Sequence, residues 1–293
     1  MVTTGVFDGV HLGHKVIVSS LIAAAKNNNG VSLLVTFDPH PRFVLQENCD
    51  LKLINTLDEK IYLLEKSGID YLLIIPFTKE FSNISSLEFV KDILVNQLKT
   101  KKLIIGYDHH FGKNREGSFE HLKQFGPIYG FDVQEIPVQD VNNINVSSTK
   151  IRMALEEGNL SLAKQLLGYS YFLSGEVVKG NQNGQKIGFP TANISLINEV
   201  KIIPKNGVYA VNVIAKGKEY QGMLNIGYRP TVVGNNLLSV EVNLFNFSEN
   251  LYGDKIKVEF IKRIREEIKF ESLESLKFQL QKDKEMCLGI LNN

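Results

Sequence analysis

Five short runs of apolar and β-branched residues punctuate the first half of the chain, at 2–7, 31–37 (VSLLVTF), 71–77 (YLLIIPF), 102–106 (KLIIG) and 131–136 (FDVQEI). Between them apolar residues recur at intervals of three and four over KVIVSSLIAAAKNNNG, LDEKIYLLEKSG and SSLEFVKDILVNQL, the period of helices with one buried face. The run of asparagines at 27–29 closes the first of these, and Ser85 and Ser86 are candidate N-caps for the third. Strands that are apolar throughout need cover on both faces, so the pattern predicts a doubly wound α/β domain around a parallel sheet. In such a sheet a ligand binds outside the carboxyl ends of the strands.

Near residue 170 the pattern changes. Two short helical stretches, STKIRMALEEGN and LSLAKQLLG, end the first half, and the reading divides the chain into domains 1–168 and 169–293. Beyond the boundary come YFLSGEVV, VYAVNVIAKGKEYQGMLNIG, LLSVEVNLFNF and KIKVEFIKRI, strand-like segments with no helices between them and a hairpin turn at Gly217. They predict an antiparallel sheet or small β-barrel, with LESLKFQLQKDKEMCLGIL as a terminal helix packed across it.

Composition adds exclusions. A chain of 293 residues can hold two cores, and 43% hydrophobic and 22% charged residues with a net charge of +1 indicate neither disorder nor a nucleic-acid-binding surface. No apolar run approaches the ~20 residues that span a bilayer, and no export signal is present, so a cytoplasmic protein without membrane contacts is expected. Cys49 and Cys287, the two cysteines, leave no thiolate metal site and no disulfide framework. A monomer is the default expectation.

The first candidate chemistry is GVFDGVHLGH, residues 5–14, where a strand feeds a glycine-flanked turn into a helix. A helix N-terminus exposes backbone N–H groups and a partial positive charge that suit a phosphate. Gly9 and Gly13 let the main chain approach, and His11 and His14 can place imidazole N–H donors where charge develops on a phosphoryl group. The alternatives are a metal-binding pair, for which no third ligand of matching pattern lies nearby, and surface histidines without a role. In SSTKIR (147–152), hydroxyls at a helix start with a cation one turn later form a second candidate anion cradle, or simply a helix cap.

The second half carries VVKGNQNGQKIGFPTANI (177–194), in which Gly180, Gly184 and Gly188 stand four residues apart. It lacks the Gly-Lys-Ser/Thr ending of a Walker loop and is not a Rossmann fingerprint. Thr191 and Asn193 add neutral hard oxygens suited to Mg²⁺ already bound to nucleotide phosphates. Glu241 in SVEVNLFNF alternates onto the face of Asn243, opposite Val240 and Val242, where it is either a solvated strand residue or a carboxylate facing a cleft.

Together with TFDPHP (36–41), GYDHHFGKNREG (106–117), SSTKIR and GFPTAN (188–193), the GVFDGVHLGH segment resembles the prokaryotic bifunctional riboflavin kinase/FAD synthetases over essentially the whole chain. The resemblance implies that His11 and His14 contact ATP phosphates, with Gly5, Phe7, Asp8, Gly9 and Gly13 shaping the nucleotide pocket. It implies that Ser147, Ser148, Thr149 and Arg152 hold the departing pyrophosphate, and that Asp38, Asp108, Phe111 and Gly112 lie on the flavin or phosphate side. In the second domain it implies an ATP site from Gly180, Gly184, Lys186, Gly188, Phe189, Pro190 and Asn225, supported by Gly227. Thr191 and Asn193 would sit at Mg²⁺, Glu241 would be the catalytic base, and Arg265 would belong to a mobile loop over flavin and nucleotide.

The implied reactions are phosphorylation of riboflavin to FMN, giving ADP, and adenylyl transfer from ATP to FMN, giving FAD and pyrophosphate. Two other classes stand beside this reading. An adenylyltransferase for a nicotinamide or pantetheine precursor would share HLGH but leave GFPTAN unexplained, and a noncatalytic flavin-binding protein would keep the pockets without the chemistry. The resemblance also implies more chain ahead of GVFDG than Met1 to Thr4, hence a short first strand.

Overall fold

The computed structural model describes residues 1–141, 144–180, 184, 187–196, 198–230 and 236–292. The chain divides into two compact units, Met1–Ser148 and Thr149–Asn293.

In the first unit β1 (Val2–Thr4), β2 (Leu33–Asp38), β3 (Tyr71–Pro76), β4 (Lys102–Gly106) and β5 (Asp132–Ile136) form one sheet in the order β3-β2-β1-β4-β5. Every pairing is parallel. The order reverses direction at β1, so the segments after β1 and β4 flank the switch point where such sheets bind ligands. The helix α1 (Leu12–Asn27) buries Val18, Leu21, Ala24 and Ala25, and packs with Phe7, Leu34, Leu64 and Ile104 on one face of the sheet. The opposite face packs Val35, Leu103 and Ile105 against Phe89, Val90, Leu94 and Phe111. The asparagine run ends α1 as expected, with Asn28 as C-cap and Asn29 at φ 49°.

Two local differences from the sequence pattern have physical causes. The first strand stops at Thr4 because the chain turns at once, Phe7 adopting φ 53°. The third helical stretch opens at N-cap Ser85 with a reciprocal Glu88 capping box, then continues as a π-helix over Phe89–Gln97.

The second unit is a closed barrel of β8 (Phe172–Val178), β9 (Ala192–Leu196), β10 (Gly207–Ala215), β11 (Lys218–Pro230), β12 (Asn236–Leu244) and β13 (Lys255–Arg265), in the order β10-β11-β12-β9-β8-β13. Its pairings are antiparallel. The β10–β11 hairpin turns through Lys216 at φ 49° and Gly217 at φ 74°, the backbone of a two-residue primed turn. The helices α7 (Ser148–Glu156) and α8 (Leu160–Leu167) pack with this unit by compactness, and the Lys205 N–H donates to the Leu155 carbonyl at 3.0 Å.

The terminal helix, α9 (Leu273–Leu291), lays Cys287 into a cluster with Ala210, Met223, Phe189 and Phe245. Burial pushes the Cys287 thiol up to about 12, with Asp283 adding to the effect, so it is inert as a nucleophile. One ion pair fixes α9 to the end of β13. Arg265 Nε and Nη2 approach the Asp283 carboxylate at 2.9 and 2.7 Å, and Asp283 is 1% exposed. Asp283→Ala strands a half-buried cation and is expected to destabilise the second unit by about 3–5 kcal/mol, which a double Arg265→Leu/Asp283→Leu replacement largely removes. Urea unfolding of both variants checks this.

Candidate functional site

The turn after β1 is built from backbone that side-chain-bearing residues avoid. Phe7, Gly9 and Val10 have φ of 53°, 87° and 35°. A Cβ at Gly9 would come within 3.0 Å of Ile54 Cδ1, so the position tolerates neither a side chain's conformation nor its volume. What holds the turn is polar. The Asp8 carboxylate, 4% exposed, accepts from the Ile54 and Asn55 N–H groups at 3.0 and 3.1 Å, and the Asp8 carbonyl accepts from Ser148 Oγ at 2.9 Å. Asp8 and Ser148 are therefore braces of the turn, while the Phe7 ring folds back over Gly5.

The histidines meet at the mouth of α1. His11 is its N-cap, and His11 Nδ1 accepts from the His14 N–H at 3.3 Å, so neutral His11 carries its proton on Nε2. The two rings stack with centroids 3.6 Å apart and planes 14° apart, and Phe7 leans on His14 at 5.0 Å. The first turn of α1 has no acidic residue to compete for the helix N-terminus. The His14 Nδ1 is buried and has no partner among the described residues. Such an atom has given up water without replacement, a cost that a ligand would repair. Burial first, then the charges of His11 and Lys60, hold His14 well below the ordinary histidine range, so the imidazole is neutral at physiological pH.

Three residues of this region escaped the sequence reading. Lys60, on α3 (Leu57–Glu65), is 6% exposed and donates from Nζ to the Val6 carbonyl at 2.9 Å, with Thr36 Oγ1 at 3.4 Å. The legible signal was a lysine one turn from the fully buried Leu64, in phase with the apolar stripe. Thr36 itself donates to the same carbonyl at 3.0 Å. His109, after β4, lies with Nε2 3.2 Å from Thr4 Oγ1 and stacks on Phe111. Asp38 at the end of β2 and Asp108 beside His109 are exposed, at the carboxyl ends of their strands. Phe111 and Gly112 are engaged in packing instead of facing solvent: Phe111 belongs to the core with Phe89, and a Cβ at Gly112 would come within 2.6 Å of the Ser86 nitrogen. Ser147 precedes α7, and Thr149 and Arg152 lie on it, in the second unit.

The barrel gathers the second constellation by strand register. Asn193 on β9 pairs with Glu241 on β12, which pairs with Asn225 on β11, so three polar residues line up across three strands. Glu241 accepts from Thr191 Oγ1 and Ser239 Oγ, each at 3.1 Å. Val240 and Val242 are buried on the opposite face, as alternation expected, and Glu241 is neither a free solvated residue nor a core one. Asn243, 6% exposed, donates to the Pro190 carbonyl at 2.6 Å and so fixes the segment bearing Phe189, Thr191 and Asn193. A Cβ at Gly180 would clash with the Asn193 amide, so only glycine lets the loop lie directly on it. The Gly184 carbonyl accepts from the Phe189 N–H at 2.9 Å, closing the loop, and Gly188 has φ 85°. Lys186 lies outside the described residues.

Arg265 differs from its expectation. It ends β13 rather than sitting in a loop, and its guanidinium is committed to Asp283. The following segment instead sends Glu267 over the polar row, with Asn225 Nδ2 3.4 Å from Glu267 Oε1, an oxygen that a Cβ at Gly227 would meet head-on. Among the described residues no three His, Cys, Asp or Glu side chains form a metal cage. The donors at Thr191 and Asn193 are neutral oxygens, a set that fits a cation arriving with its own phosphates.

Known proteins resemble the chain along both units. A family model described as FAD synthetase matches residues 1–150, and one described as riboflavin kinase matches residues 167–291. A bifunctional riboflavin kinase/FMN adenylyltransferase of Buchnera aphidicola is 41% identical over 294 residues, covering 99% of this chain and 94% of the relative. The protein of the same description from Escherichia coli K12 is 39% identical over 284 residues, covering 97% and 90%. A crystal structure from Streptococcus pneumoniae, described as a macrolide-efflux protein, matches with a TM-score of 0.89 at 31% identity and covers 98% of this chain and 93% of that one. Among the described residues of this chain no helix is long and apolar enough to cross a membrane.

The environment of His109 gives a pH signature. Burial, then the charges of His110 and Arg115, push its pKa down from 6.5 to about 4. Below 6.5 the unfolded chain takes up a proton that the folded chain refuses, so stability falls as pH drops through this window and levels off below about 4. The loss reaches up to about 3 kcal/mol and should be smaller in His109→Gln, as urea unfolding at about pH 7 and about pH 5 would measure.

Proposed function

The chain belongs to the family of bifunctional riboflavin kinase/FMN adenylyltransferases, and we propose that its two phosphate-facing constellations divide the two reactions between them. The chain converts riboflavin to FMN and FMN to FAD, consuming ATP in each step. The observation that carries the division is that each unit holds its own cradle: a histidine pair with an orphaned buried nitrogen at a helix N-terminus in one, a carboxylate bonded to Thr191 in the other. We set the functional boundary at 168/169, since the Ser147–Arg152 segment serves the pyrophosphate of the first reaction although compactness groups most of it with the barrel.

In the barrel, Glu241 accepts the proton of the primary hydroxyl of riboflavin as that oxygen bonds to the γ-phosphorus of ATP, the β–γ bridging bond breaks and ADP leaves. Thr191 and Ser239 orient the carboxylate by donating to different oxygens. Asn225 and the backbone around Gly180, Gly184, Gly188, Phe189 and Pro190 bind the nucleotide. Thr191 and Asn193 would hold Mg²⁺, which when bound supplies charge neutralisation on the phosphates. Arg265 anchors the 266–271 segment to α9 through Asp283 and is assigned no flavin contact.

In the first unit, an FMN phosphate oxygen attacks the α-phosphorus of ATP, the α–β anhydride bond breaks, and pyrophosphate leaves. His11 Nε2–H and neutral His14 donate to the phosphoryl oxygens as charge moves onto them, and the first-turn N–H groups of α1 add to the field. Ser147, Thr149 and Arg152 receive the pyrophosphate, and Asp38 and Asp108, at the strand ends, stand on the flavin side. We place the chain in the cytoplasm, where it meets ATP.

Single substitutions should separate the reactions. Glu241→Gln is expected to lower FMN formation by about 10²–10⁴-fold while leaving FAD formation from supplied FMN intact. His11→Ala should do the reverse, lowering kcat of adenylyl transfer by about 10²–10³-fold with a smaller effect on ATP binding. Chromatographic separation of the flavins, with riboflavin or FMN as substrate, measures both; a variant that loses both reactions would refute the division.

A further inference from the structure

A lysine at 6% exposure is an expensive residue to place beneath a turn, and the hydrogen bond it makes does not explain it. The Val6 carbonyl that accepts from Lys60 Nζ at 2.9 Å already accepts from Thr36 Oγ1 at 3.0 Å. An apolar side chain would leave that carbonyl satisfied and would spare the desolvation of a cation. What an apolar residue cannot supply is the charge. We propose that Lys60 is a positioning residue for adenylyl transfer: its buried ammonium braces the Gly5–Val10 turn through Val6 and sets fixed positive charge behind the paired imidazoles, where the phosphates of ATP arrive. This rests on the assignment of adenylyl transfer to the first unit.

The charges around the site fit the role. Burial lowers the Lys60 pKa from the ordinary lysine value, while Asp8 in the turn and Asp38 at the end of β2 act in the opposite sense. His14, in turn, feels burial, His11 within its own helix, and Lys60 from α3. His109, from the segment after β4, is itself held neutral by burial and bonds to Thr4, so it adds no charge at physiological pH. Glu59, the neighbour of Lys60 on α3, is turned to the Thr56 N–H in a capping box. With rings 3.6 Å apart, His11 and His14 would repel if both were cationic, and Lys60 disfavours that state. The site then meets a polyanion with the His14 ring already neutral and the donors in place.

The test uses the full chain with Lys60→Met, Lys60→Gln and Lys60→Arg. Adenylyl transfer is measured with supplied FMN and ATP, and the His14 ring is followed by NMR across pH. Lys60→Met and Lys60→Gln are expected to lower kcat by about 10²-fold, with the KM for FMN little changed. In both, the His14 titration should move up toward the ordinary value of about 6.5. Lys60→Arg, which keeps the charge, should recover most of the rate and the depressed titration. Riboflavin phosphorylation in the same chains should stay at the wild-type rate and calibrates the amount of intact enzyme.

The proposal is overturned if the neutral variants keep the wild-type kcat. It is equally overturned if they lose it while His14 titrates as in the wild type and Lys60→Arg restores nothing, because a purely structural brace would behave that way. Should Lys60→Met fail to fold, the contrast of Lys60→Gln with Lys60→Arg decides. If the wild-type chain itself makes no FAD, the assignment of the first unit has failed, and the movement of the His14 titration still reports on Lys60.

Discussion

The turn between β1 and α1 is the constraint on which the candidate site of the first unit depends. Three of its residues, Phe7, Gly9 and Val10, sit at positive φ, and for side chains other than glycine such backbone costs of order 1–3 kcal/mol each. The turn persists because groups distant in sequence converge on it: the Asp8 carboxylate on the Ile54 and Asn55 amides, Ser148 on the Asp8 carbonyl, Lys60 and Thr36 on the Val6 carbonyl. Strain held this way fixes the two imidazoles against one another before any phosphate arrives. Reorganisation during the reaction is then small, which is the condition under which electrostatic stabilisation acts most strongly.

The barrel reaches the same end by another route. Antiparallel register sets Asn193, Glu241 and Asn225 side by side without strained backbone in those strands. The irregular part is the glycine-rich segment that lies on Asn193, and it is fixed from below by Asn243 and from within by Gly184. Both units therefore hold their candidate polar groups at the junction of a rigid sheet and a loop pinned to it. They differ in chemistry, a pair of imidazoles and a lysine in the first unit against neutral oxygens and a carboxylate in the second.

Much of this was legible in the sequence. Apolar runs without alternation at 31–37, 71–77 and 102–106 gave the parallel sheet, because only double cover makes such strands stable. Helix-free strands after 170, with Gly217 at a tight turn, gave the barrel. His11, His14, Thr191, Asn193 and Glu241 were singled out by motif and resemblance, and the fold sets the two rings together at the mouth of α1 and Thr191 against Glu241. The apolar phase of Lys60 beside Leu64 was legible, but its partner and that of Asn243 were not, since each reaches a carbonyl far along the chain, Val6 or Pro190, that no local pattern encodes. Phe111 was singled out with its motif, and the fold packs its ring beside Phe89 and against His109. Arg265 looked like a loop residue, and only the fold shows that α9 brings Asp283 to it.

If the two units act on different phosphorus atoms of ATP, labelled nucleotide shows it directly. Riboflavin is incubated with the chain and ATP carrying the label at either the α- or the γ-phosphorus, and the flavins are separated. The γ-label should appear in FMN and persist in FAD, and the α-label should appear in FAD alone. An α-label in FMN, or FAD formed without it, would mean that the two units do not divide the phosphorus atoms in this way.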